Sequence, residues 1–308
     1  MDMQKSEEIG HASTIQLGRR KAALAIVTVG LASMTAGRAI GAVPPALDES
    51  LALPVKHLTR DGVRLAYVEK GTGEPSILLV HGMTGEHSSF LYLLHHLSKN
   101  HRVVAVDLRG HGDSDAPEGE YSDAVFNDDL VFMCNELGLK NPVAMGHSFG
   151  GSTLLHLAQH RPGFLGGLVL LDSGVRTTAA KEAELQPVYD DPDPEALAKF
   201  LAERMNSPWD PPELRSRRKN KEYPPDHVIE SMQKTVVGFD AASAAAEVTL
   251  PALFLLATRH FSDPETLGRL GPNWLVGQVV ASGHSIHLVV PEQVHPMIDR
   301  FLQIHWGS

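Results

Sequence analysis

The sequence predicts an α/β fold: a mostly parallel, doubly wound sheet interrupted once by a helical insertion. Three observations carry that expectation. Short, nearly continuous apolar runs recur at residues 76–80, 102–106, 142–145, 167–171, 252–257 and 277–281, each bounded by Gly, Asp or Pro. Runs of this length suit strands buried on both faces of a parallel sheet. Helix-periodic segments stand between them, at 88–97, 123–137, 151–160 and 292–305, and strand–helix alternation places helices on both faces of one sheet. Residues 175–241 break the pattern: they contain no strand run and are rich in Pro and charge, as in Asp190-Asp191-Pro192-Asp193-Pro194.

In chain order the elements are justified as follows. Arg19-Arg20-Lys21 precedes an uncharged run at 22–37, then Arg38 and small residues up to Ala42. The run falls short of the about 20 apolar residues that span a bilayer. Residues 1–42 therefore read as a signal peptide, and the paired arginines resemble a twin-arginine export signal. A periplasmic or secreted protein without a stable membrane anchor after processing is expected, with the cytoplasm as the alternative. Val43-Pro44-Pro45 is a linker. Runs at 55–59 and 63–68 flank Asp61-Gly62, a hairpin turn. The first part of the core spans 43–174, a helical cap 175–241, with helical pieces at 195–204 and 226–237, and the second part of the core 242–308.

Composition narrows the function. With 43% hydrophobic and 21% charged residues among 308, the chain is globular rather than disordered. Its net charge of −10 opposes nucleic-acid binding, which needs a basic stripe to neutralise phosphates. One cysteine, Cys134, excludes a disulfide framework and a Cys-rich zinc site. No histidine pair has the His-Glu-x-x-His spacing of a metalloprotease, so no metal is expected, and no organic cofactor is expected either.

The decisive segment is Gly146-His147-Ser148-Phe149-Gly150-Gly151, a Gly-x-Ser-x-Gly placed between an apolar run and a helical one. A sharp turn there raises the Ser148 hydroxyl above the sheet, and the glycines leave room for it. A hydroxyl is a poor nucleophile at its own pKa and needs an imidazole to take its proton. His284 and His287, in Ser282-Gly283-His284-Ser285-Ile286-His287, are the bases on offer, and His284 directly follows the last strand run and a glycine. His81 and His147 flank the site.

These motifs, in this order over residues 55–305, resemble the α/β-hydrolases, specifically the cap-bearing esterase, lactonase and haloperoxidase-like group. His81-Gly82 closes the first parallel strand, Asp107-Leu108-Arg109-Gly110-His111-Gly112-Asp113-Ser114 matches the glycine-rich turn after the next, and Gly283-His284 follows the last. The resemblance implies Ser148 as nucleophile, His284 as base, and an oxyanion hole from the backbone N–H groups of Phe149 and Met83. It places the acid between Ser148 and His284 in the chain. Asp263, after the run 252–257, holds the commoner position; Asp172, ending the run 167–171, is the alternative acid.

Ser at the nucleophile position departs from the Asp of dehalogenases and epoxide hydrolases of this fold. The expected activity is therefore hydrolysis of a carboxylic ester or lactone, a small-molecule substrate, through an acyl-enzyme. Two alternatives stand beside it: a C–C bond hydrolase using the same triad, and a non-catalytic ligand receptor on the same fold.

Overall fold

The computed structural model describes residues 51–176, 179, 183, 205–212, 214, 224–260, 262 and 264–307. The expected signal segment, the helical piece at 195–204 and Asp263 lie outside them.

An antiparallel hairpin opens the sheet, β1 (Lys56–Arg60) and β2 (Val63–Lys70), turning at Asp61 and Gly62, both at positive φ. Then come β3 (Ile77–Val80), β4 (Val103–Val106), β5 (Val143–His147), β6 (Gly167–Leu171), β7 (Ala252–Leu256) and β8 (Trp274–Gln278). The order across the sheet is β1-β2-β4-β3-β5-β6-β7-β8. Among the described residues, β1 pairs β2 and β2 pairs β4 in antiparallel ladders, and β3 to β8 are mutually parallel. The last strand starts three residues earlier than its apolar run predicted, and the chain leaves the ladder near Val279.

Among the described residues the α-helices include α1 (Leu91–Leu97), α2 (Asp123–Glu136), α3 (Phe149–His160), α4 (Asp226–Gly238), α5 (Ala241–Glu247), α6 (Pro264–Leu267), α7 (Ile286–Val289) and α8 (Pro291–Trp306). Strand residues sort by the two-residue period of the pleat. Leu78, Val80, Val104, Val106, Leu168 and Leu170 join the core shared with α2, α3 and α5. Ile77, Leu79, Val103, Ala105, Val169 and Leu171 join the core under α1 and α8. Both faces of β3 to β6 are thus covered, which is why these strands read as unbroken apolar runs.

The topology also locates the site. From β3 the chain moves outward to β4 and then back to β5 on the other side, so the order reverses at the carboxyl ends of β3 and β5. In open α/β sheets ligands bind at such a switch point. Described parts of the insertion lie over these ends. Ser231 on α4 accepts the Tyr121 N–H through Oγ at 2.9 Å, and Val228 packs against Gly110 on the loop after β4.

Candidate active site

Ser148 sits between β5 and α3 with φ 53° and ψ −119°. A non-glycine residue at positive φ costs of order 1–3 kcal/mol and persists only where its surroundings hold it. Here they do. The Ser148 N–H donates to the Leu171 carbonyl at 3.1 Å, and the Ser148 carbonyl accepts from Gly151 and Ser152. Gly150 is obligatory at the start of α3, since a Cβ there would collide with the backbone carbonyls of Val80 and His81. That contact lets the nucleophile turn press against the end of β3.

The same closeness brings the candidate oxyanion loop to the serine. A Cβ on Gly82 would lie 3.2 Å from the Ser148 Cβ, so the chain from His81 to Met83 passes beside the nucleophile. Phe149 is the first residue of α3, and N–H groups in a helix's first turn have no partner within the helix. The loop is held from below. Leu108 N–H donates to Nε2 of buried His81 at 3.0 Å, which fixes the tautomer so that Nδ1–H donates to the Gly82 carbonyl at 2.8 Å. His111 Nε2 donates to the Met83 carbonyl at 2.5 Å.

His284, in the loop after β8, is 2% exposed. Its Nδ1 donates to Asp172 Oδ2 at 2.7 Å. Asp172 is fully buried at the end of β6, with φ 47°, and its other oxygen accepts the Ala257 N–H at 2.9 Å. Burial pushes the Asp172 carboxyl up to about 7, opposed by that N–H bond and by the charge of His260. With Nδ1–H committed to the carboxylate, the neutral ring keeps its lone pair on Nε2, as a general base requires.

Of the two candidate acids, Asp172 meets the candidate base His284, whereas Asp263 lies outside the described residues. A donor nitrogen is available only once, and Asp172 occupies it. The end of β7 contributes the Ala257 N–H that orients the carboxylate. Of the two candidate bases, His284 meets the Asp172 carboxyl, whereas His287 on α7 is buried with its ring stacked on Phe90, centroids 4.9 Å apart.

His147, read from sequence only as a flanking residue, has a definite contact. Its Nε2–H donates to the His284 carbonyl at 3.0 Å, tying the strand that leads into Ser148 to the loop that carries His284. Among the described residues, the side chains close enough to share a cation are His87, Asp107 and Asp113. Asp107 is already engaged there, with the His87 ring at 2.9 Å and the backbone N–H groups of His87 and Asp113. Against burial, which would raise it, the His87 bond holds Asp107 below the usual carboxylate range, and Asp107 in turn raises His87 against its own desolvation. The cluster is an ion pair that braces the turn after β4.

Residues 75–215 match the family model described as the alpha/beta hydrolase fold. The chain has the α/β-hydrolase fold. Bifunctional epoxide hydrolase 2 of Sus scrofa is 38% identical over 125 residues, a match covering 39% of this chain and 22% of that protein. The chain thus spans about a fifth of that relative's length. The 2-(acetamidomethylene)succinate hydrolase of Mesorhizobium japonicum is 29% identical over 254 residues, 76% of this chain and 90% of that one. Among solved structures, the enol-lactonase from Burkholderia xenovorans superposes with a TM-score of 0.66 at 20% identity, covering 80% of this chain and 100% of that chain. This α/β-hydrolase sheet carries Ser148, Asp172 and His284 after β5, β6 and β8 respectively.

Proposed function

We propose that this chain is a serine hydrolase that cleaves a carboxylic ester or lactone through an acyl-enzyme. The observation that carries the reading is the buried Asp172–His284 pair on the same end of the sheet as the strained Ser148 turn. In the proposed reaction His284 Nε2 takes the hydroxyl proton as Ser148 Oγ bonds to the substrate carbonyl carbon. Phe149 and Met83 N–H groups stabilise the oxyanion, each such donor lowering the barrier by about 3 kcal/mol. The imidazolium, stabilised by Asp172, then protonates the departing alkoxide. Water repeats the sequence on the acyl-enzyme, releasing the acid and restoring Ser148. For a lactone the alcohol and acid leave as one molecule.

Substitution at carbon, as in epoxide opening, calls for a carboxylate nucleophile, and position 148 holds a hydroxyl. A second reading, hydrolysis of an acyl–nitrogen bond in an acidic substrate, is favoured by the similarity to 2-(acetamidomethylene)succinate hydrolase, which extends over most of both chains. The C–C hydrolase alternative uses the same three residues. A panel of chromogenic esters, lactones, N-acyl compounds and diketones separates these, with fastest turnover expected on esters or lactones. No turnover of any of them, together with tight binding of one, would instead mark a receptor.

Export by the twin-arginine route is a further proposal, supported by Arg19-Arg20 and the uncharged run after them. Among the described residues no helix is long and apolar enough to cross a membrane. Replacing both arginines by lysine should leave a longer precursor inside the cell; unchanged release of a processed product would count against this route.

A further inference from the structure

Residues 205–210 belong to the insertion, yet they bond to the loop that carries His284. The His284 N–H donates to the Met205 carbonyl at 3.0 Å. The Gly283 N–H donates to Asp210 Oδ1 at 2.9 Å. Two successive N–H groups of the loop are therefore held from the insertion, and the His284 carbonyl is held by His147. The fit is close: a Cβ on Gly283 would stand 2.7 Å from Asp210 Oδ2 and from the Met205 carbonyl, and 2.9 Å from the Ser207 nitrogen. Asp210 is 2% exposed, and its N–H turns back to the Ser207 carbonyl at 3.0 Å.

Burying a polar carboxyl group is costly unless it is hydrogen-bonded, and Asp210 Oδ1 takes the Gly283 N–H. We propose that Asp210 is a positioning residue whose Oδ1 fixes Gly283, and with it the backbone from which the His284 ring projects. The geometry of the base then depends on the insertion, and Asp210 acts through Gly283 rather than on the substrate. This rests on the reading of His284 as the base.

Asp210→Ala and Asp210→Asn are compared with wild type and Ser148→Ala for kcat and KM on a short-chain chromogenic ester, for the rate of phosphonate labelling, and for near-UV circular dichroism. A misplacement of about 1 Å can cost about 10²-fold, so Asp210→Ala should lower kcat and labelling by about 30- to 100-fold with KM little changed. Asn keeps a side-chain oxygen for the Gly283 N–H and should restore kcat to within about fivefold of wild type. If Asp210→Ala does not fold, Asp210→Glu replaces it. The carboxyl is then kept but its oxygen is displaced by one methylene, and kcat should again fall at unchanged KM. Wild-type kcat in a folded Ala or Glu variant, or an Asn variant as impaired as these, overturns the proposal. Activity surviving in Ser148→Ala would instead overturn the triad reading beneath it.

Discussion

Asp172 Oδ2 and His284 Nδ1 meet at 2.7 Å across 112 residues of chain, both side chains withdrawn from solvent. The contact joins the end of β6 to the loop after β8, with β7 between them in the sheet. β7 does not stand aside: its end donates the Ala257 N–H to Asp172, so the carboxylate is aimed by the strand it reaches across.

The first prediction follows from that aim. Asp172→Asn should lower kcat by about 10⁴-fold, as in serine proteases that lose the acid, because the amide favours the wrong imidazole tautomer. Asp263→Asn should leave kcat near wild type. Steady-state kinetics on both variants decide it, and the reverse ranking would return the acid to Asp263.

How much of this was legible in the sequence depends on burial. The strands from β3 to β7 are covered on both faces and announce themselves as apolar runs. β8 is an edge strand whose Leu275 and Val276 are 41% and 50% exposed, so its position is set by pairing with β7 and its apolar pattern misplaced it. Ser148 was legible because glycines on both sides serve one local turn. The acid was not, because Asp172 ends one strand run and Asp263 follows another, and the sequence does not show that Asp172 reaches His284 in three dimensions. Met205 and Asp210 gave no signal at all. They lie in a polar, Pro-rich stretch, and their meaning comes from a loop more than 70 positions away.

A second prediction concerns strain. Ser148→Ala should lose about 10⁶-fold in kcat, by analogy with serine proteases, while folding normally. Ser148→Gly should be equally inactive but more stable than Ser148→Ala by about 1 kcal/mol, since glycine accepts φ 53° without the Cβ penalty. Chemical denaturation of the two variants measures the difference; equal midpoints would mean that the turn stores no strain.

Activity should respond to pH through the Asp172–His284 pair. Burial raises the Asp172 carboxyl to about 7, and only the ionised form, dominant above that value, stabilises the imidazolium. A protonated His284 also has no lone pair with which to act as a base. kcat/KM should therefore rise with pH through the neutral range, with an apparent midpoint belonging to the pair rather than to either residue. A profile flat from pH 5 to 8 would contradict this.

Stability should respond through His87 and Asp107. His87 is raised from 6.5, so its contribution is full below that value and is lost as pH rises through the higher folded value. Asp107 is lowered from 3.8, so its contribution is present above that value and is lost as pH falls through the lower folded one. The ion pair is thus complete between these limits. His87→Gln should depress the thermal midpoint most near pH 5.5 and less at pH 9. A penalty independent of pH would show that the pair's charge contributes nothing to stability.

The insertion sets the final prediction. A cap that only shapes the substrate pocket could be removed with changes in KM and substrate range and little change in bond breaking. Replacing residues 180–238 by a short Gly/Ser linker, however, also removes Met205 and Asp210, the acceptors for two N–H groups of the His284 loop. It strips Val228 and Ser231 from the loop after β4 as well. The excised enzyme should therefore lose kcat at least as severely as a variant lacking the Asp210 acceptor, about 30-fold or more, in addition to changing its substrate profile. Kinetics of the linker variant on its two best substrates test this. If kcat is kept while KM alone moves, the insertion is a lid over the pocket and the His284 loop holds its shape without it.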